Sequence, residues 1–247
     1  MPKIKCIISY DGTHFHGYQV QPKKRTVQGE LERVLEKIHK GEHVRVQASG
    51  RTDTGVHSRG QTIHFDTALD IPGNSWKKAL NALLPDDLYV THSEVASSDF
   101  HARYSVVEKE YRYFIINAVE PDIFNRNYMY HFPYKLNIDA IKEACHYLEG
   151  THDFTTFSSA KATVKGDKVR TLFEVSCNQN GEKLEFVFRG SGFLYNMVRI
   201  LIGTLLDVGQ GKIRPEEMAA ILESKDRSNA GKTAPAQGLF LWRVRYE

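Results

Sequence analysis

The chain has 247 residues, of which 41% are hydrophobic and 11% aromatic, the composition of an ordinary globular protein. No apolar run approaches the roughly 20 residues of a membrane span, and no signal-peptide core follows Met1, so we expect a cytoplasmic location. The three cysteines (Cys6, Cys145 and Cys177) lie far apart and form no CxxC pair. They therefore predict reduced, apolar thiols rather than disulfides or a zinc site.

Hydrophobic periodicity in the first half predicts alternating strands and helices. A side chain suited to helix capping, Thr26, precedes an apolar stripe with helical spacing, and Gly41 follows it. The predicted elements are a strand at 4–10, a helix at 27–38, strands at 44–48 and 62–65, a helix from 74 or 75 that carries Trp76, Leu80, Leu83 and Leu84, and a strand at 88–95. Their order is β-α-β-β-α-β.

The second half repeats this order. Asn137 is suited to cap a helix, and Asn180-Gly181 predicts a hairpin. The predicted elements are a strand at 105–117, a helix at 138–148, strands at 169–177 and 184–188, a helix through 195–205, a further helix from about 215, and a strand at 239–244.

Two split βαβ units in tandem predict an α+β (mixed α/β) fold with two ferredoxin-like or RRM-like lobes. We expect the lobes to share a mainly antiparallel sheet, because no flexible linker separates them. The predicted boundaries are 1–104 for the N-terminal lobe and 105–247 for the C-terminal lobe, with a cleft between them.

The net charge of +3 is only weakly informative about binding partners, but the basic residues are clustered. One run is Lys23-Lys24-Arg25, and residues 161–170 hold four basic side chains against the single acid Asp167. Such clusters are typical of phosphate contacts, although a basic run is also a common solvated surface.

The most unusual stretch is the loop at residues 49–61, which holds three glycines, two arginines and one acid. Glycines allow a loop to lie tightly against a ligand. Arg51 and Arg59 flank Asp53, and such cations favour an ionised carboxylate that can serve as a nucleophile or base. A surface turn with a local ion pair remains the alternative from the pattern alone.

Two other interpretations of this region are weak. Asp53-Thr54-Gly55 also spells the aspartic-protease triplet, but no second triplet exists and a nearby arginine opposes a shared proton. His57, His64 and Asp66 lack the spacing of a known metal motif. We expect no metal and no cofactor.

Five ordered blocks resemble the tRNA pseudouridine synthase A (TruA) family. They are YDGTHFHGYQ at residues 10–19, GRTDTGVH at 50–57, FHAR at 100–103 with KEYRY at 109–113, GFLYNMVR at 192–199 and APAQGL at 234–239. Small departures occur at Thr54, where alanine is commoner, and at Tyr18, where tryptophan is frequent. The resemblance covers essentially the whole chain.

The resemblance implies a pseudouridine synthase fold with Asp53 as the nucleophile. Whether the carboxylate adds to C1′, adds to C6 or removes a ribose proton stays open. Tyr111 matches the family's active-site tyrosine, which stacks on the extruded base or helps to remove the C5 proton. Arg199 matches an arginine expected to pair with Asp53.

The resemblance also implies a substrate. The expected substrate is the anticodon arm of many tRNAs, modified at positions 38, 39 and 40. The resemblance also implies that the protein is a homodimer. Arg51 is a candidate for phosphate contact or base extrusion, because the glycosidic bond is inaccessible in a stacked helix. Weaker candidates for backbone contact are Arg59, Arg103 and Arg170.

Two alternatives remain. An RNA-binding module without catalysis would fit RRM-like lobes, although residues 109–114 match an RNP1 strand only loosely and the loop around Asp53 would be unexplained. A base-excising glycosidase would release free uracil, which a synthase does not.

Overall fold

The computed structural model describes residues 1–159 and 167–247. The chain divides into two compact units, Met1–Val107 together with Phe240–Glu247, and Glu108–Leu239. Each unit has helices and a mainly antiparallel set of strands, so the predicted mixed α+β class is confirmed. Lys161 and Lys165 of the predicted basic cluster lie outside the described residues.

The first unit contains the predicted β-α-β-β-α-β order. Its elements are β1 (Lys3–Tyr10), α1 (Val27–Ile38), β2 (Gln47–Ala48), β3 (His57–Asp66), α2 (Trp76–Asn81) and β4 (Leu88–Ala96). Alternate residues of β1 are buried, as expected for a strand with one face on a core. The Thr26 hydroxyl accepts a hydrogen bond from the Gly29 N–H at 3.2 Å, which confirms the predicted cap of α1.

Two strands of this unit begin or end at residues other than those predicted. The strand predicted at 44–48 is paired only at Gln47–Ala48. Val46 is buried, but its N–H donates to the Glu32 carboxylate at 3.0 Å instead of to a strand. The strand predicted at 62–65 is longer and begins at His57. Leu83, placed in the helix core by its spacing, lies beyond the end of α2 and is 44% exposed.

The second unit adds two short strands to the predicted pattern. Its elements are β5 (Val106–Ile116), β6 (Tyr130–His131), α3 (Ile138–His146), β7 (Gly150–Asp153), β8 (Val169–Asn180), β9 (Lys183–Gly190), α4 (Met197–Gly209) and α5 (Glu217–Glu223). The sequence pattern predicts neither β6 nor β7, which have two and four residues and show no clear periodicity. The main strands are ordered β5-β9-β8-β7.

Local signals in this unit are largely confirmed. The Asn137 side chain accepts a hydrogen bond from the Ala140 N–H at 3.1 Å and caps α3. At the predicted hairpin, Asn180 faces Lys183, and Gly181 takes a positive φ of 60°. Tyr195 is an exception, because it precedes α4 and is 46% exposed.

The last strand, β10 (Leu239–Tyr246), pairs in parallel with β3 of the first unit, with Phe240 opposite His57. The sequence pattern places this strand at the end of the second repeat. The Ser58 hydroxyl donates to the Leu241 carbonyl at 3.0 Å. A Cβ at Gly60 would lie 2.6 Å from the Trp242 carbonyl oxygen. The end of the chain thus supports the strand that leaves the Asp53 loop.

The cysteines are free and buried, as predicted. Burial raises the pKa of Cys6 and of Cys177 to about 12, so both thiols stay protonated. In the part of the chain that the structure describes, no helix has the length and apolar character needed to cross a membrane.

His64 anchors residues 100–105 to the sheet. Its ring is 3% exposed, and its Nδ1 accepts a hydrogen bond from the Ala102 N–H at 3.1 Å. The Tyr246 hydroxyl donates to the Ala102 carbonyl at 2.7 Å. Burial and, to a lesser extent, the positive charge of Lys3 lower the pKa of His64 to about 4. The native fold therefore holds this imidazole neutral.

This burial predicts a pH dependence of stability. Unfolded His64 takes up a proton near pH 6.5, whereas the native ring does so only near pH 4. Lowering the pH through that window therefore favours unfolding, by about 3 kcal/mol in total. His64→Asn keeps an acceptor but does not titrate. Urea unfolding between pH 7 and 4 should show a shallower loss of stability for this variant than for the wild type.

The control is His43→Asn, which changes an exposed histidine and should preserve the wild-type slope. Equal slopes for His64→Asn and the wild type would contradict the assignment.

Candidate active site

Asp53 begins a tight turn. The Val56 N–H donates to the Asp53 carbonyl at 3.1 Å, and Gly55 has a φ of 78°. A positive φ at the third residue of a turn favours glycine. The Asp53 side chain is half-buried, and Thr54 at the tip is exposed. The sequence Asp-Thr-Gly-Val therefore encodes a turn that presents a carboxylate.

The first family-like block, residues 10–19 (the opening segment), packs directly on this turn. A Cβ at Gly12 would lie 2.1 Å from the Val56 carbonyl oxygen, and one at Gly17 would lie 2.9 Å from that of Thr52. The Tyr18 N–H donates to the Thr52 carbonyl at 3.0 Å. The backbone of the opening segment is thus in direct contact with the backbone of the turn. Only glycine leaves room at these two positions.

Buried side chains complete this support. The hydroxyls of Tyr10 and Thr52 share a hydrogen bond of 2.8 Å, and burial raises the pKa of Tyr10, which keeps the phenol neutral. The Gly12 N–H donates to Nδ1 of His57 at 2.9 Å. The same Nδ1 atom lies 3.2 Å from the Asp11 carboxylate.

The base of the loop is closed by a polar pair. The Ser49 hydroxyl donates to the side-chain carbonyl of Gln61, whose amide donates to the Gly50 carbonyl at 2.8 Å. Both side chains are fully buried. Since β3 begins at His57, the true loop is shorter than residues 49–61.

The three candidate arginines of the first unit are exposed. Arg51 lies on the loop two residues before Asp53 and makes no hydrogen bond or ion pair with residues 1–159 or 167–247. The Arg59 guanidinium lies 5.0 Å from the ring centre of Trp242. Arg103 follows the anchored Ala102. Exposed cations of this kind are available to phosphates.

The other candidates belong to the second unit. Tyr111, on β5, is 8% exposed and meets the ring of Phe193 edge-on at 5.0 Å. It shares a buried strand face with Tyr113 and Ile115. Arg170 donates to the backbone carbonyls of Asp167 and Val169 at 3.1 and 2.6 Å.

Arg199 is held by a specific scaffold. It is the third residue of α4 and is half-buried. Its Nε donates to the Ala234 carbonyl at 2.7 Å and its Nη1 to the Asn196 side chain at 3.1 Å. The Tyr113 hydroxyl donates to the next carbonyl, that of Pro235, at 2.7 Å. Residues 234–235 therefore link α4 to β5.

Within residues 1–159 and 167–247, no group of three or more His, Cys, Asp or Glu side chains is placed to hold a metal ion. The Nδ1 atoms of His57 and His64 accept backbone N–H groups, and Asp66 lies 3.8 Å from the Lys3 amine.

The structure brings Arg51 and Asp53 together on one loop in the first unit. In the second unit, the carbonyls of residues 234–235 link α4, which carries Arg199, to β5, which carries Tyr111. The supporting residues Tyr10, Ser49 and Gln61 were not assigned a role from the sequence. The density of family-like residues in the opening segment was the signal that could have pointed to Tyr10.

Comparisons with known proteins agree with the sequence blocks. A family model described as tRNA pseudouridine synthase matches residues 6–105 and 144–247. The tRNA pseudouridine synthase A of Oceanobacillus iheyensis is 60% identical over all of this chain and 98% of its own length. That of Bacillus subtilis is 56% identical over 99% of each chain.

Among solved structures, a chain from a Cbf5-Nop10-Gar1 complex aligns with a TM-score of 0.34 and 13% identity, over 83% of this chain and 54% of that one. That likeness is too distant to bear on function.

The packing of the opening segment on the turn predicts the effect of Gly12→Ala. The added methyl would displace the Val56 carbonyl, and overpacking of this kind costs about 1–3 kcal/mol. We expect lower stability in urea and faster hydrogen exchange at the Val56 amide. Gly192→Ala is the control, because its Cβ would meet nothing closer than 3.6 Å. Equal stability of the two variants would contradict the packing.

Proposed function

The chain belongs to the tRNA pseudouridine synthase family, and from this we propose that it isomerises uridine to pseudouridine at positions 38, 39 and 40 of tRNA. The observation that carries the proposal is the Asp53 turn, whose family-like sequence is held by a second family-like block, the opening segment. A carboxylate fixed in this way suits a reaction that needs one nucleophile in one place.

The reaction is balanced without a cofactor. The N1–C1′ bond breaks, the uracil turns, and a C5–C1′ bond forms; C5 loses a proton to solvent and N1 gains one. We assign Asp53 as the nucleophile. Addition to C1′, addition to C6 and removal of a ribose proton all remain compatible with a carboxylate in this role.

Tyr111 and Arg199 are proposed to act on the same uridine. The nearly buried ring of Tyr111, held edge-on by Phe193, is suited to stack on the base, and its hydroxyl is the candidate for removing the C5 proton. The resemblance assigns Arg199 as the cation for the Asp53 carboxylate. Its two anchoring hydrogen bonds support that role, because a fixed guanidinium loses little freedom when it acts.

The exposed arginines of the first unit support RNA binding. We propose that Arg51 contacts phosphate or helps to extrude the uridine, and that Arg59, Arg103 and Arg170 contact the backbone. Contacts to phosphate and shape suit an enzyme that modifies many tRNAs. By resemblance we also propose a homodimer, and a cytoplasmic location follows from the proposed substrate.

Transcripts of one tRNA test the position of the reaction. Three transcripts would carry a uridine at only one of positions 38, 39 and 40, and a fourth would have none at these positions. We expect pseudouridine in the first three and not in the fourth, measured by carbodiimide modification and primer extension. Arm-wide recognition by shape and phosphate is the physical reason.

Other outcomes separate the alternatives. Pseudouridine in the fourth transcript would contradict the positions but not the activity. Free uracil would indicate a glycosidase, and binding without any change in the RNA would indicate an RNA-binding module.

A further inference from the structure

Tyr104 follows directly after the FHAR block and has no role in the function proposed so far. Its side chain is 76% exposed, yet the turn that carries it is well ordered by hydrogen bonds. The N–H groups of Arg103 and Tyr104 both donate to Nδ1 of His101, at 3.1 and 3.3 Å. The Ser105 N–H donates to the His101 carbonyl at 3.0 Å. An exposed aromatic ring on a fixed turn is available for stacking.

One side of the Tyr104 ring is supported. The His101 ring lies 4.3 Å away between ring centres, at an interplanar angle of 33°. His101 in turn packs on the buried His64 at 4.8 Å. Burial, with the charges of Lys3 and Arg103, lowers the pKa of His101, which favours the neutral ring that accepts both N–H groups. The tyrosine is thus backed on one side and open to solvent on the other.

A cation lies beside this ring. The Arg103 guanidinium is 5.8 Å from the centre of the Tyr104 ring and is exposed. An open aromatic face next to an arginine matches a nucleotide, because a base stacks on the ring and a phosphate pairs with the cation. We propose that Tyr104 stacks on an unpaired base of the RNA substrate while Arg103 contacts a neighbouring phosphate. This rests on the proposed function.

The position of this surface separates it from the chemistry. The Asp53 turn leads into β3 at His57, whereas the Tyr104 turn is anchored at His64. The seven-residue step along β3 from His57 to His64 spans about 23 Å. The stacked base is therefore a nucleotide other than the reacting uridine, and Tyr104 contributes to RNA binding rather than to bond making.

The test compares variants of the full chain on an intact tRNA transcript. Tyr104→Ala should raise the Kd about 5- to 100-fold, the range expected for one stacked base, while the single-turnover rate at saturating enzyme stays at the wild-type value. Tyr104→Phe keeps the ring and should bind within about twofold of the wild type.

A matched control is Tyr89→Ala. Tyr89 is also exposed, at 50%, and the Lys77 amine lies 5.9 Å from its ring centre. Among the residues described, no aromatic ring packs against it. It should bind tRNA like the wild type. A Kd for Tyr104→Ala within twofold of the wild type would overturn the proposal. So would an equal loss in Tyr89→Ala.

Salt dependence distinguishes stacking from charge. Tyr104→Ala should keep the wild-type slope of log Kd against log salt, whereas Arg103→Ala should reduce its magnitude by about 1. A changed oligomeric state in Tyr104→Ala would assign the ring to a protein interface instead. If the wild type binds tRNA through Tyr104 but forms no pseudouridine, the proposed function fails and the stacking surface stands.

Discussion

The backbone of residues 52–56 lies directly against the backbone at Gly12 and Gly17, and the position of Asp53 depends on this contact. A loop that carries a reactive group is usually the most mobile part of a fold. Here the turn is fixed by a second segment, by its own hydrogen bond from Val56 to Asp53 and by the buried Ser49–Gln61 pair below it. Any side chain at Gly12 would force these elements apart.

The second unit holds Arg199 by backbone contacts in a similar manner. Two consecutive carbonyls, of Ala234 and Pro235, accept hydrogen bonds from Arg199 and Tyr113. Residues proposed to meet RNA are arranged differently, because Arg51 and Tyr104 project into solvent. Groups assigned to chemistry are thus held before substrate arrives. Groups assigned to binding form their contacts only with RNA, which suits recognition of many related tRNAs.

Local signals in the sequence predicted much of the fold. The caps at Thr26 and Asn137 and the hairpin at Gly181 depend on neighbouring residues, so the sequence contains their cause. Long-range contacts were not predictable in this way. The pairing of β10 with β3 joins Phe240 to His57, and the short β2 reflects a bond from Val46 to Glu32. The sequence motif was sufficient to identify Asp53. Why residue 12 must be glycine became clear only from the structure, which places the Val56 carbonyl against it.

Release of tritium from C5 of uracil tests the central role of Asp53 most directly. Pseudouridine formation must expel that hydrogen to water, so tRNA labelled at C5 would be incubated with the wild type and with Asp53→Asn, which preserves the shape of the side chain. We expect release by the wild type and a loss of about 10³-fold or more in the variant, with tRNA binding retained in both. Release at the wild-type rate by Asp53→Asn would contradict the account.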